Sequence, residues 1–438
     1  MEYSIWFFLV LFLAMIGLLF TGLPVAFALG GISVFAVILL WGPDGLFMIA
    51  NSAFSTFTTD TYIAIPMFIL MANCLQNSGI AEDLYNMLYK WMGGIRGGLA
   101  MGTILICTLF AAMSGGSGAA TITMGLIALP SMLKRGYDKF ICVGCIAAAG
   151  VLGIIIPPSI PMIILAGFGQ LSVGKLFFSG VFPGLLCASL YIGYVAIRCA
   201  INPNLCPALP KEERVGWKEK IQSLYALAPP ILLIFVVLGS IYSGAATPTE
   251  AAGLGAAGAM IIAFFKRQLT KDVISKMFNR TFILTAMIAW ILIGATAFNT
   301  IYNFMGAFKV IKSVADNLPG GAYTVIACML LFNFVLGCLM DDYAIITLTA
   351  PLYLPIIVGL GIDPIWFGLI FMLNLQMAYL TPPFGFNLFY MKSIVPQGIS
   401  LRDIYKSVLP FIGLQAVALI ICIIFPQMAT WLPNFMIK

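Results

Sequence analysis

The sequence predicts an all-α polytopic membrane protein made of two related halves in inverted orientation, each with a re-entrant helical hairpin and a broken transmembrane helix. Three observations carry that expectation. The 438 residues are 62% hydrophobic and 9% charged, with a mean hydropathy of +1.06, a balance far from that of soluble domains. Apolar runs of roughly 17 residues or more recur from end to end, each long enough to cross a bilayer. A single constant offset pairs Pro130 with Pro355, Gly136 with Gly361, Asp138 with Asp363, and Pro157-Pro158 with Pro382-Pro383, the mark of an internal duplication.

Charge places the two copies in the membrane. Lys134, Arg135 and Lys139 follow the first copy's SGGSGAATITMG segment, whereas GLGIDP in the second copy carries no basic residue. By the positive-inside rule these loops face opposite sides, so the copies are inverted. Residues 1–201 form the first repeat, 202–221 a polar cytoplasmic linker, and 222–438 the second repeat. Predicted crossings in the first repeat lie at 3–20, 23–41 and 62–80, then a paired segment at 98–133, a broken crossing at 140–168 and a last one at 178–200. The second repeat gives 222–242, 250–266 and 281–300, a paired segment at 322–358, a broken crossing at 365–390 and a last one at 408–430. All of the 22 Lys and Arg except Lys175, Lys309, Lys312 and Lys438 then fall on the cytoplasmic side. The first apolar run, from Ile5, lacks a basic start and reads as a retained span rather than a signal peptide.

Composition narrows the chemistry. There is no histidine, which removes histidine acid/base catalysis and histidine metal ligation. The ten cysteines are scattered without C-x-x-C spacing and read as small buried hydrophobes. No phosphate-binding or dinucleotide fingerprint is present. Ser114 and Ser117 have no obvious base beside them, so an intramembrane enzyme is disfavoured. A channel would need a continuous polar pore, which the pattern does not offer.

What the pattern offers is interrupted helices. In GIIIPPSIP, Gly153 to Pro161, three prolines remove backbone donors in the middle of an apolar run. A break at membrane depth is tolerated only where the freed groups face protein, a cavity or an ion. Matched breaks in two inverted halves mark the binding site of a transporter. Here SGGSG at 114–118 and the 153–161 break form one pair, and LMDDY at 339–343 with LTPPFGFN at 380–387 the other. The candidate cation ligands are Ser114, Gly115, Ser117, Gly153 and Pro157 in the first half, with Gly337, Met340, Asp341, Asp342 and Thr381 in the second. Hydroxyl, carboxylate and bare carbonyl oxygens are what a hard cation requires. The candidate substrate contacts are Ser117, Ser159, Thr381 and Asn387.

Structural roles compete with several of these. The SGGSG glycines also permit close helix packing, Thr121 and Thr123 back-bond within a helix, and Asn387 can satisfy broken backbone instead of substrate. Glu250 fits a capping box in Thr247-Pro248-Thr249-Glu250. Asp138 and Asp363 fit helix caps at the hairpin bases. One aspartate of the 341–342 pair caps the second arm while the other, aligned with Ser117, faces an ion. The segment from Thr270 to Arg280 reads as a separate interfacial helix.

The paired hairpins, the two Pro-Pro breaks, SGAATPTEAAGLGA at 243–256 and IPMFILMANCLQNSGIAEDL at 65–84 together resemble the large membrane subunit of tripartite ATP-independent periplasmic (TRAP) transporters, over essentially the whole chain. The resemblance implies an ion-transporter fold of the elevator type in a bacterial inner membrane. It also implies coupling to Na+ at two or more sites, a carboxylate substrate, a small four-helix membrane subunit and a periplasmic substrate-binding protein. The fold resembles that of stand-alone sodium/dicarboxylate symporters of the divalent-anion type as well, which is the alternative function.

Overall fold

The structure is a computed structural model describing residues 5–436; positions 3 and 4 of the first predicted crossing, and Lys438, lie outside the described residues. Among those residues all regular structure is helical. Six helices are long and apolar enough to cross a bilayer, and a seventh span arises if Pro43–Phe57 and Asp60–Gln76, bent by 58°, are taken together. Large apolar side chains such as Phe35, Phe54, Phe235, Phe282 and Leu331 stay exposed on the outside, as expected where lipid is the solvent.

One group of helices packs around a single long helix, Lys271–Phe304. Val25–Trp41 and Ala64–Gln76 lie against it, and Pro248–Phe265 packs on the latter. Small residues set the spacing: a Cβ at Gly294 would sit 2.5 Å from the Ala26 carbonyl oxygen, so the two backbones touch there. The expected separate interfacial helix at Thr270–Arg280 is not formed. No glycine or proline interrupts 271–293, so the segment is the first part of this continuous helix, and Thr270 accepts its capping bond from the Val273 N–H at 3.3 Å. Sequence reading also passed over two helices flanking the predicted crossings, Leu46–Phe57 and Ile80–Met92.

A second group holds the hairpins. Hairpin A is Gly98–Ser114 and Ser117–Lys134, followed by broken helix A, Lys139–Gly150 and Ile160–Gly169. Hairpin B is Gly321–Gly337 and Asp342–Gly359, followed by broken helix B, Pro364–Ala378 and Phe386–Ile394. The second arm of hairpin A packs on Phe386–Ile394, and the second arm of hairpin B packs on Ile160–Gly169. Each hairpin thus rests on the far piece of the other's broken helix. Positions paired by the sequence offset do matching work. Asp138 accepts from the Phe140 and Ile141 N–H groups at 3.0 and 3.1 Å, and Asp363 from Ile365 and Trp366 at 2.7 and 3.3 Å. The Pro157-Pro158 and Pro382-Pro383 peptides are both cis. Glu250 closes its capping box, accepting from the Thr247 N–H at 2.8 Å.

The polar linker is stitched to the base of hairpin A. Gly97 N–H donates to the Cys206 carbonyl at 3.0 Å, Leu209 N–H to Gly93 at 2.8 Å, and Asp138 N–H to Leu205 at 2.7 Å. Arg135 adds a salt bridge to Glu213 at 2.6 Å and donates to the Tyr89 hydroxyl at 2.6 Å. The Arg135 bond holds the Glu213 carboxyl below the usual carboxylate range, so this clamp is complete at neutral pH. It is lost only as pH falls below the ordinary glutamate range of about 4.3 and through that lowered value. Exposed ion pairs contribute little to global stability. Arg135→Gln is therefore expected to speed amide exchange at Leu209 and Arg214 without altering exchange in the second arm of hairpin A; equal exchange in both proteins at pH 7 would show that the backbone bonds alone hold the linker.

Candidate functional site

Hairpin A turns on glycine. Gly115 adopts φ +65°, the left-handed region in which glycine carries no Cβ penalty, and its carbonyl accepts the Ile160 N–H at 2.9 Å. That bond ties the hairpin tip to the restart of broken helix A. Gly153 makes the approach possible, since a Cβ there would lie 2.6 Å from the Gly116 carbonyl oxygen. The Ser159 hydroxyl donates back to Ile154 O at 2.6 Å and accepts from the Met162 N–H at 3.4 Å. It bridges the break and caps the following piece.

Hairpin B turns on aspartate. Asp341 caps the second arm, accepting from the Ala344 N–H at 2.7 Å. Asp342 Oδ1 accepts from the Tyr343 N–H at 3.1 Å and from the Tyr379 hydroxyl at 2.8 Å, while the Asp342 N–H donates to that hydroxyl at 3.1 Å. Tyr379 stands just before the Pro382-Pro383 break, so this tip is tied to its break by a side chain where hairpin A uses backbone. No hydrogen bond or ion pair engages the Oδ2 atom of either aspartate among the described residues.

Both tips open onto one cleft of about 310 Å³. Ser114, Gly116, Ser117, Asp341 and Asp342 line it from the hairpin side; Asn73, Gln76 and Arg280 line it from Ala64–Gln76 and the long helix. Asn73 Nδ2 donates to the Thr281 hydroxyl at 2.9 Å, fixing these two helices to each other beside Arg280. Arg280 itself has no ion-pair or hydrogen-bond partner among the described residues. The cleft therefore holds two carboxylates on one wall and an unpaired guanidinium on another.

Other expected ligands are placed elsewhere. Ser159 is fully buried with its hydroxyl engaged, Gly115 and Gly153 form the tip-to-break junction, and Pro157 is buried in the break. Thr381 donates to Met377 O at 2.9 Å within its own segment. A Cβ at Gly337 would lie 2.4 Å from that of Ala378, so it serves packing. Met340 faces a separate crevice with Leu19 and Phe384. Asn387 is fully buried: Oδ1 accepts from the Thr121 hydroxyl and Nδ2 donates to Ala147 O, both at 2.8 Å. It joins broken helix B to hairpin A and broken helix A, satisfying the broken backbone. Thr121 correspondingly bonds Asn387 rather than its own helix.

Sequence reading missed Arg280, Asn73, Gln76, Tyr379 and Tyr390, which complete the cleft. Asn73 and Gln76, three residues apart in an apolar run, were legible as a polar stripe on one helix face. The chain matches the DctM component of the tripartite ATP-independent periplasmic transporters over residues 12–428. It belongs to that family. The C4-dicarboxylate TRAP transporter large permease protein DctM of Vibrio cholerae is 33% identical, over 97% of both chains. The ectoine TRAP transporter large permease protein TeaC of Halomonas elongata is 30% identical, over 95% of this chain and 97% of that one. In fold the permease is similar to the Alcanivorax borkumensis YdaH transporter, with a TM-score of 0.64 at 13% identity, covering 95% of this chain and all of that one.

Asn387→Leu separates a structural bracket from a substrate contact. The change strands the Thr121 hydroxyl and the Ala147 carbonyl, at a cost of about 1–3 kcal/mol. The expected result is a lower melting temperature in detergent with an unchanged KM for residual transport; a raised KM in a protein of normal melting temperature would restore the substrate role.

Proposed function

We propose that this permease imports an organic acid in symport with Na+ across the bacterial inner membrane, together with a small membrane subunit and a periplasmic substrate-binding protein. The observation that carries the reading is the cleft where two hairpin tips meet two broken helices, lined by Asp341 and Asp342 and, from the long helix, by Arg280. Asp342 is buried, and a buried carboxylate requires a hydrogen-bonding partner, a cation or water, because an isolated charge away from water is expensive. The Oδ2 atoms of the two aspartates, with Ser114, whose hydroxyl donates to Gly116 O at 3.2 Å, and Ser117 lining the same cleft, offer the oxygen ligands a hard cation takes.

The substrate's carboxylate falls to Arg280, whose planar fork suits a carboxylate in two parallel hydrogen bonds. Relatives named for a C4-dicarboxylate and for ectoine are consistent with a carboxylate as the common group. The interlocked hairpins and broken helices would move together along the long helix, as an elevator requires.

Reconstitution in sealed vesicles with its partner proteins tests the whole. Uptake should follow an imposed sodium gradient and require the binding protein. Uptake by this chain alone would favour the stand-alone symporter, and flux at channel rates would exclude a carrier. Asp342→Asn should weaken sodium activation more than it weakens membrane insertion, and Arg280→Gln should lower apparent substrate affinity roughly tenfold or more, the scale of one lost charge-assisted bond. Sodium dependence identical to wild type in a well-folded Asp342→Asn protein would leave that residue only its bonds to Tyr343 and Tyr379.

A further inference from the structure

A second recess, of about 380 Å³, lies where Leu46–Phe57 and the far end of the long helix meet the second arm of hairpin B. Ser55, Thr56, Tyr62, Thr296, Asn299 and Asn303 are among its walls, and no charged side chain lines it. Hydroxyl pairs close part of its floor: Ser52 with Thr300 at 2.8 Å, and Thr56 to Thr296 at 3.0 Å. Asn299 is only 6% exposed. Its Nδ2 donates to Thr347 O on hairpin B, and its buried Oδ1 has no partner among the described residues. A buried amide oxygen without a donor in a protein surrounded by lipid calls for a polar solute or water.

The recess and the cleft occupy two ends of one seam. On the long helix Arg280, Leu284 and Ile288 face the cleft, and Thr296, Asn299 and Asn303 face the recess. From Arg280 to Asn299 that helix rises roughly 28 Å at about 1.5 Å per residue, close to the hydrocarbon thickness of a bilayer. Hairpin B runs along the same seam, with Asp342 in the cleft and Pro351 at the recess. Between the two openings Ile291, Leu292 and Ala295 are buried, as are Ile345 and Ile346 on hairpin B. Lys271, Lys276 and Arg280 mark the cleft end as cytoplasmic. The recess therefore faces the periplasmic side.

We infer that the recess is the periplasmic-side subsite of the substrate, a wall of hydroxyls and amides that takes its uncharged hydrogen-bonding portion when the hairpin tips stand at the level of Asn299. This rests on the transport reading above, in which the tips travel along the long helix. With no cation of its own the recess cannot hold a carboxylate by pairing, so its contacts are neutral hydrogen bonds. Arg280 makes the charged contact at the other end of the path. The same bound molecule thus meets a neutral wall outside and a basic wall inside.

The test uses the full transporter with its partners in oriented vesicles, comparing uptake from the outer side with efflux from the inner side. Asn299→Leu removes the amide oxygen that lacks a donor, together with the bond to Thr347. Asn303→Leu changes an exposed wall residue whose side chain makes no hydrogen bond among the described residues, which guards against a folding defect. Each variant should raise the outer-side KM about tenfold, the loss of one hydrogen bond, and leave the inner-side KM unchanged; Asn303→Gln should recover much of the loss. Unchanged outer-side KM in both well-folded leucine variants, or equal rises on both sides, would overturn the subsite. If wild-type protein moves no solute, the transport reading fails first and separately.

Discussion

The fold depends on the cost of a backbone group without a partner in hydrocarbon, and both breaks show how that cost is avoided. Three prolines between 157 and 161 remove donors and leave carbonyls free. Around the first break the Ser159 hydroxyl closes on Ile154 and the Ile160 N–H closes on Gly115. Around the second, the Tyr379 hydroxyl closes on Asp342 and Tyr405 donates to the Pro383 carbonyl at 2.8 Å. Asn387 then reaches across to Ala147 and Thr121, so neither break is independent of the other half. Each hairpin tip supplies one of these partners, Gly115 to the first break and Asp342 to the Tyr379 side of the second, and the cleft lies where the tips and the breaks meet.

From that arrangement follows an asymmetry of charge. The two tips occupy paired positions, but Ser117 stands in one and Asp342 in the other. The first tip presents hydroxyls and peptide groups, the second two carboxylates with one oxygen each left over. A bare peptide and a carboxylate differ greatly in how strongly they attract a cation at low dielectric. Another wall carries Arg280 rather than a lysine, and a guanidinium presents its donors in a planar fork where an ammonium is a point charge. Keeping Arg280 and the aspartates on separate walls, unpaired, leaves room for ions or substrate between them; a closed pair would fill the site with its own charge.

Much of this was legible in the sequence. Constant spacing between prolines, glycines and aspartates located both hairpins, both breaks and the caps at Asp138 and Asp363, because each of those residue types has one strong local consequence. The tips at Ser114, Ser117, Asp341 and Asp342 were legible for the same reason. Arg280 was not. Its local context, basic and near a predicted end, is that of an interfacial helix, and only the uninterrupted run from Lys271 carries it to the cleft. Ser159, Thr381 and Asn387 were drawn into the site by proximity to the breaks, whereas the breaks themselves consume their hydrogen-bonding groups. Local chemistry names the groups that a break frees; it does not say which neighbour takes them.

The long helix adds the last constraint. It spans 34 residues with no proline, its glycine at 294 is pressed against the Ala26 carbonyl, and its hydroxyls at 296 and 300 are bonded to Leu46–Phe57. Bending or sliding it would break a backbone contact and several hydrogen bonds at once. The second arm of hairpin B also packs on it, and there the hydrogen bond found among the described residues is that from Asn299 to Thr347. Apolar contacts are non-directional and re-form after a displacement, whereas hydrogen bonds must be matched again. A displacement of hairpin B along the long helix would therefore have one polar bond to match again, that of Asn299, whereas a displacement of Leu46–Phe57 would break the hydroxyl pairs at 296 and 300.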